Sequence, residues 1–377
     1  MKILFITHDS SRTGAPMVLL YFLQWLNTNK PEVQIDVLAL RGGELKDDFK
    51  KNCLEFYDFQ ELLKYQKLSL AKRVLKKLNL FKPINKEVLL LGQLSAKAYD
   101  IVYANSVLSV PVACKIVGDN IKVKFLAHIH ELETVIKQEV PEFKQYVEKI
   151  DCFIAVSKMV ANILKESYFV LEQRINVIYE CAEIEKTEKI SEVNKTFKVG
   201  AAGSVNWRKG YDLFIQVARY VNKNYPEANI EFEWVGKISP FNRIIVDEDI
   251  KKLGLKERLK FTGELEEPIG RFKSFDVFVM TSREDPFPLV CIEVGALGKP
   301  IISFEHAIGT NEVLANGGGF IVPYLDVETM GNKVIDYYKN HDLLKSHGSK
   351  NIKLFSEFSP EIICPMYFSL IENLCDG

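Results

Sequence analysis

Short apolar runs alternate along the chain with longer stretches in which apolar residues recur every three or four positions. The first run is Ile3 to Thr7, a helical pattern follows from about Pro16 to Leu26, and the next run is Val33 to Leu40. Such runs are typical of buried strands, and the three-to-four spacing is typical of amphipathic helices. Because the two patterns alternate throughout, the sequence predicts an α/β fold with parallel sheets.

This alternation is interrupted once and then restarts. Residues 182–198 are rich in charge and poor in large apolar side chains, which is the composition of a solvated linker. A new strand is predicted from Val199 to Gly203. We therefore expect a first domain over residues 1–181 and a second over residues 196–358, followed by an amphipathic helix within residues 360–377.

Composition narrows the class of protein. The 377 residues, 47% hydrophobic and 26% charged, suit a globular enzyme with two cores. A net charge of -1 gives no field that attracts nucleic acid, so no nucleic-acid partner is expected.

Seven scattered cysteines without a CxxC pair indicate a reducing, cytoplasmic location. The apolar start is too short for a signal peptide, and no run reaches the length of a membrane span, so any membrane contact is expected to be peripheral.

The segment GSVNWRKG, from Gly203 to Gly210, lies between a predicted strand and a predicted helix. A glycine turn at that point lets the backbone approach a phosphate, and the N-terminus of the helix offers N–H groups. Arg208 and Lys209 add two full charges. The segment predicts a diphosphate site, with an ordinary loop carrying two solvated cations as the open alternative.

A second segment follows the apolar run Val277 to Met280 and carries Asp285 and, in a predicted helix, Glu293. Both carboxylates can face the edge where parallel sheets bind ligands. Two prolines at the helix start leave three backbone N–H groups for an anion, those of Phe287, Leu289 and Val290. The open alternative is that Glu284 and Asp285 only cap the helix.

The pair Asp285-x7-Glu293, together with Lys209-Gly210, resembles the acidic signature and the cation of the retaining glycosyltransferases of family 4. The resemblance extends over most of the chain. It implies the GT-B fold, in which two Rossmann-like domains turn their parallel sheets toward a central cleft and the C-terminal helix returns to the first domain.

The resemblance also implies a role for each matching residue. Glu293 holds the donor ribose, Asp285 holds hydroxyls of the transferred sugar, Lys209 binds the diphosphate, and His130 lies near the sugar. Arg208 is our own candidate for the cation that the family usually has at position 204. Asp285 stands where the signature has Glu, and Ser204 stands where arginine is usual. The catalytic candidates are Lys209, Arg208, Asp285 and His130. The donor-binding candidates are Gly14, Ala15, Gly203, Ser204, Gly236, Phe287, Leu289, Val290 and Glu293.

The expected reaction is hexosyl transfer, with retention, from a nucleoside-diphosphate sugar to a hydroxyl of a saccharide or lipid-linked acceptor, as in polysaccharide biosynthesis. No cofactor besides the donor is expected. No metal is expected either, because Asp247-Glu-Asp249 does not directly follow a strand and no third ligand joins His128 and His130.

A sugar-nucleotide epimerase of the same architecture and a noncatalytic sugar-nucleotide-binding protein are the competing hypotheses. A dinucleotide oxidoreductase is disfavoured, since no GxGxxG follows the first strand.

Residues 64–86 contain eight lysines and arginines, no acidic residue, and apolar residues at helical spacing. This pattern predicts a basic amphipathic helix, which could rest on an anionic membrane surface at the inner face of the plasma membrane or grip a charged acceptor. The alternative is a surface helix that packs on its own domain.

Overall fold

The structure is a computed structural model that describes residues 1–64, 85–185 and 196–376. It divides into two compact units. The first contains Met1–Val156, Val160–Ile178 and Cys364–Gly377, and the second contains Ser157–Met159 and Tyr179–Ile363. Most of the basic stretch 64–86 and the middle of the expected linker 182–198 lie outside the described residues.

The first unit is built on a sheet of seven parallel strands in the order β3-β2-β1-β4-β5-β6-β7. In register, Ile3 of the first strand lies between Ile35 and Ile101. These side chains are buried because helices cover the sheet, as the continuous apolar runs require. The strands are β1 (Lys2–Thr7), β2 (Gln34–Ala39), β3 (Glu55–Asp58), β4 (Ile101–Asn105), β5 (Lys124–Ile129), β6 (Cys152–Ala155) and β7 (Ile175–Val177).

The helices among residues 1–178 follow the strands, so each crossover returns the chain to the same end of the sheet. The longest, Gly14–Asn29, buries an apolar face that includes Val18 and Phe22. The α-helices are Gly14–Asn29, Lys46–Lys51, Phe59–Leu63, Lys86–Ser95, Val110–Val117, Glu133–Glu139 and Lys158–Glu166.

The second unit repeats the plan with six parallel strands in the order β10-β9-β8-β11-β12-β13. In both sheets the strand order reverses beside the first strand of the unit, β1 or β8. Ligands of such sheets bind at the carboxyl ends of the strands flanking that reversal. The strands are β8 (Phe197–Ala202), β9 (Ile230–Val235), β10 (Leu259–Gly263), β11 (Val277–Met280), β12 (Ile301–Phe304) and β13 (Gly319–Val322).

The last helix, Pro360–Asp376, begins in the second unit and ends in the first. Within the first unit the Tyr367 ring packs 5.4 Å from the ring of Phe22 and 5.1 Å from that of His128. No helix in the described ranges is both long and apolar enough to cross a bilayer. The α-helices after residue 178 are Tyr211–Asn224, Pro240–Lys252, Ile269–Lys273, Leu289–Ala296, Asn311–Leu314, Val327–Lys339, His341–Phe355 and Pro360–Asp376.

Candidate active site

In the second unit, two glycines bring the ends of β8 and β9 close together. Gly203 and Gly236 have φ angles of 144° and 147°, and a Cβ on Gly236 would lie 2.1 Å from the Gly203 carbonyl oxygen. The Trp234 indole donates to that same oxygen at 2.8 Å. Backbone packing therefore requires glycine at position 236, and the positive φ favours glycine at position 203. Ser204, which follows, is exposed.

The loop after Gly203 is held against the segment that follows β11. The N–H of Arg283 donates to the carbonyl of Arg208 at 2.8 Å, and the Arg283 guanidinium grips both oxygens of Asp212 at 2.9 and 2.7 Å. Gly210 has a φ of 69°, and a Cβ there would lie 1.9 Å from the Thr281 carbonyl oxygen. These contacts fix the orientation of the loop that carries the two cations.

Asp285 forms ion pairs with both predicted cations, Arg208 and Lys209. Its carboxylate lies 2.5 Å from Lys209 Nζ and 3.2 Å from Arg208 Nη1, and the Ser282 hydroxyl lies 3.3 Å away. Burial alone raises the pKa of Asp285, but Lys209 and Arg208 outweigh burial and hold it below its ordinary value. The carboxylate is thus ionised at neutral pH, and two cations facing one anion leave the loop with one net positive charge.

Glu293 stands in the helix Leu289–Ala296, half-buried in this unit. Burial raises the pKa of its carboxyl to about 7. Across the described ranges, its carboxylate forms no hydrogen bond or ion pair with the protein. A partly exposed carboxylate without a partner among the described residues is an acceptor that a ligand hydroxyl can satisfy.

The helix start that precedes Glu293 carries the predicted N–H donors. The Phe287 ring is buried and stacks 4.9 Å from Tyr179, which anchors the segment. The backbone N–H of Cys291 donates a hydrogen bond to the Pro288 carbonyl oxygen at 3.0 Å, at the start of this helix. The N–H groups of Leu289 and Val290 lie in the first helical turn, where no preceding turn supplies acceptors.

The first unit places His130 directly after β5, at the carboxyl edge of the sheet. It is 9% exposed, and its Nε2 lies 3.3 Å from Asn105 Oδ1. The Glu131 carboxylate accepts from the backbone N–H groups of His130 and Val107, both at 3.0 Å. Glu131 therefore fixes the turn that presents His130.

Gly14 and Ala15 open the first helix of the same unit. A Cβ added to Gly14 would meet no atom within 4 Å. Ala15 is buried, and its carbonyl accepts from Asn105 Nδ2 at 2.8 Å. The protein itself does not require glycine at position 14, so the space there is available to a ligand.

Sequence reasoning missed two residues of these sites, Asn105 and Arg283. Asn105 could have been found from the sequence, because it is a polar residue at the end of an apolar predicted strand. Arg283 lies inside the segment that was singled out, but its partner Asp212 is distant in sequence. Among the described residues, no three or more His, Cys, Asp or Glu side chains lie together so that they could hold a metal ion.

These two parallel-sheet units, each with polar groups at the carboxyl edge, define the class of fold. A solved structure of Anabaena HepE in complex with UDP and glucose matches with a TM-score of 0.78 at 18% identity, covering 99% of each chain. The fold is the GT-B type found in glycosyltransferases, and the predicted fold class is confirmed.

Sequence comparisons point the same way. The family model for glycosyl transferases group 1 matches residues 196–340, the stretch that holds Lys209, Asp285 and Glu293. Mannosylfructose-phosphate synthase of Agrobacterium fabrum is 24% identical over 58% of this chain and 51% of its own length. The capsular polysaccharide biosynthesis glycosyltransferase CapM of Staphylococcus aureus is 27% identical over 48% of this chain and 46% of its own. The chain thus spans about half the length of these two curated relatives.

Proposed function

We propose that this protein is a retaining glycosyltransferase that moves a hexosyl group from a nucleoside-diphosphate sugar to a hydroxyl of a saccharide or lipid-linked acceptor. The observation that carries the proposal is the convergence of Lys209 and Arg208 on Asp285, in the part of the chain that matches the glycosyltransferase family model. Relatives named for sugar-phosphate and capsule synthesis support a hexosyl donor and polysaccharide biosynthesis.

The electrostatic task is set by the leaving group. When the bond from the anomeric carbon to the donor phosphate breaks, negative charge grows on the nucleoside diphosphate. Lys209 and Arg208 then stabilise that charge, and their interaction with the diphosphate is stronger in the transition state, where the charge has grown, than in the ground state. Together with the helix N–H groups of Leu289 and Val290, these cations carry the diphosphate without a metal ion.

Asp285 and Glu293 bind the uncharged parts of the donor. Both are acceptors, and sugar and ribose hydroxyls are donors. Asp285 is ionised and receives hydroxyls of the transferred sugar, while Glu293, which has no hydrogen-bond or ion-pair partner among the described residues, receives ribose hydroxyls. In the first unit, His130 lies at the carboxyl edge of the sheet, where a sugar hydroxyl could meet it.

The thiols support a cytoplasmic location for the proposed enzyme. All seven cysteines are free, five of them buried, as suits a protein that acts in the cytoplasm. The basic stretch 64–86 adds attachment to the inner face of the membrane, where a lipid-linked acceptor is held.

The donor is identified by thermal unfolding against a panel of nucleoside diphosphates and their sugars. A ligand present at 100 times its dissociation constant stabilises by about 2.7 kcal/mol, which is readily measured. Uridine nucleotides come first, because UDP is bound in the similar Anabaena structure. The bound donor is then incubated with and without saccharide acceptors, and the anomeric configuration of the product is read by NMR.

The matched variants are Lys209→Ala and Lys345→Ala. Lys345 is an exposed lysine of the same unit, outside the site. Loss of a preorganised cation costs about 3 kcal/mol, so Lys209→Ala should lower kcat by roughly 100-fold while Lys345→Ala leaves it unchanged. Equal rates in both variants would refute the role of Lys209. An altered sugar nucleotide formed from donor alone would indicate an epimerase, and tight donor binding without any product would indicate a noncatalytic protein.

A further inference from the structure

The three tryptophans of the protein differ sharply in exposure. Trp234 is 1% exposed, and Trp25 packs against two aromatic rings of the first unit. Trp207 is 56% exposed. It follows β8 in the loop that carries the two cations of the candidate active site. Trp207 therefore lies at the carboxyl edge of the second sheet, where parallel sheets bind ligands.

Arg283 holds both the backbone and the ring of Trp207. Its Nη1 donates to the Trp207 carbonyl oxygen at 2.8 Å, and its guanidinium carbon lies 5.3 Å from the centroid of the indole. The N–H of Gly210 donates to the same carbonyl oxygen at 3.2 Å. A guanidinium over an indole is attracted by the negative face of the ring. One face of the ring is therefore covered and fixed in orientation, while the rest of the side chain remains open to a ligand.

The charge beside the ring is balanced within the protein. The Arg283 guanidinium pairs with both carboxylate oxygens of Asp212, at 2.9 and 2.7 Å, so the pair carries no net charge. The Asp212 side chain is 47% exposed, and its carboxylate can accept further hydrogen bonds. Over the ranges that the structure describes, the indole N–H of Trp207 forms no hydrogen bond. An open aromatic surface thus lies beside one acceptor and one donor.

We propose that the Trp207 ring stacks against an uncharged sugar ring of the saccharide acceptor. One face of a pyranose presents C–H groups, whose partial positive charge is attracted by the negative face of an aromatic ring. The hydroxyls at the edge of the sugar both donate and accept, and the Asp212 carboxylate and the indole N–H complement them. An anionic group gains no attraction from a neutral ion pair. That the sugar belongs to the acceptor rests on the proposed function, in which Asp285 holds the transferred sugar.

The fluorescence of Trp207 provides a direct test. Acrylamide quenches exposed tryptophans and spares buried ones, and the signal lost in Trp207→Phe identifies the contribution of Trp207. Protein with bound UDP is titrated with maltotriose, cellotriose and chitotriose as uncharged probes, and UDP alone and pyrophosphate alone are the comparison arms. We expect at least one oligosaccharide to protect Trp207 from quenching, and neither UDP nor pyrophosphate to do so. Protection by UDP alone, or by no oligosaccharide, would overturn the proposal.

Steady-state kinetics with the acceptor that supports transfer give a second readout. Trp207→Ala should raise the KM for the acceptor roughly tenfold and leave the KM for the donor unchanged, because the stacking surface is lost. Trp207→Phe keeps an aromatic face and should stay within about threefold of the wild-type value. Phe241→Ala is the matched control, because Phe241 is an exposed aromatic residue of the same unit. A rise in the donor KM alone would contradict the assignment of Trp207 to the acceptor.

The variants should fold, because the hydrogen bonds to the Trp207 carbonyl involve the backbone and survive substitution. We expect unfolding midpoints within about 2 °C of the wild-type value. If a variant does not fold, the quenching arms on the wild-type protein still decide. Oligosaccharide protection in a protein that transfers no sugar would overturn the proposed function alone. Transfer with the same acceptor KM in wild type and Trp207→Ala would overturn the role of Trp207 alone.

Discussion

Glu293→Gln should stabilise the protein at neutral and alkaline pH while weakening nucleotide binding. Burial raises the pKa of this carboxyl from 4.5 to about 7, and no ion pair within the described part of the chain offsets that shift. A group whose pKa is raised on folding stabilises the folded state fully only below its unfolded value. That contribution is lost as pH rises from 4.5 through 7.

The size of the effect follows from linkage. A rise from 4.5 to about 7, at about 1.4 kcal/mol per pH unit, corresponds to about 3 kcal/mol of folding free energy lost once Glu293 is ionised. Glutamine has nearly the same shape and no charge to desolvate. The variant should therefore match the wild type near pH 4 and exceed it by up to about 3 kcal/mol at pH 8, a rise of about 6–12 °C in unfolding midpoint.

The assay is thermal unfolding of both proteins from pH 4 to pH 8.5, with Glu305→Gln as the control for removal of an exposed carboxylate from the same unit. A parallel titration with a nucleoside diphosphate at pH 8 should show weaker binding to Glu293→Gln, because a carboxylate is the stronger acceptor for ribose hydroxyls. A constant difference between wild type and Glu293→Gln at every pH would refute the reasoning, since only ionisation produces the pH dependence.

Three further outcomes are expected. Arg283→Ala should lower the free energy of unfolding by about 1–2 kcal/mol and kcat/KM by about tenfold, because the loop that carries Arg208 and Lys209 loses its ion pair to the segment after β11. Urea unfolding and initial rates measure the two effects. Unchanged rates would show that the ion pair between Arg283 and Asp212 does not affect the site. Gly14→Ala should leave the free energy of unfolding within about 1 kcal/mol of the wild-type value, because no atom of the protein occupies the space of the added methyl group, and it should raise the KM for the donor. An unchanged KM would mean that no ligand approaches Gly14. Binding to vesicles containing anionic lipid should fall when the lysines and arginines of residues 64–86 are replaced by glutamine, and absence of wild-type binding at low salt would remove the membrane hypothesis.

The fold could be predicted because its signal is local. Each buried strand is a short apolar run, as in Ile3 to Thr7, and each covering helix has its own periodicity. Strand order is different, because nothing in the β4 sequence says that it pairs with β1 rather than with β3. That order follows from packing the whole unit, and it was not predicted from the sequence.

The candidate site divides in the same way. Lys209 and Asp285 were singled out because each follows a predicted strand, and carboxyl ends of parallel strands share one edge. Their ion pair joins residues far apart in sequence, so the 2.5 Å separation of Lys209 Nζ and Asp285 Oδ2 was not predictable from either segment. The amide of Asn105 was missed for a similar reason, since its partners Ala15 and His130 belong to two other segments.

The ion pairs of Asp285 have a consequence for ligand selection. In the free protein this carboxylate already occupies Lys209 and Arg208, so an incoming anion must take them from an internal competitor. Phosphate or pyrophosphate is an anion that the Asp285 carboxylate repels, whereas the proposed sugar-nucleotide ligand brings neutral hydroxyl groups that replace the contacts it gives up. Under the proposed function, selection of this kind works by exchange of partners and disfavours simple anions.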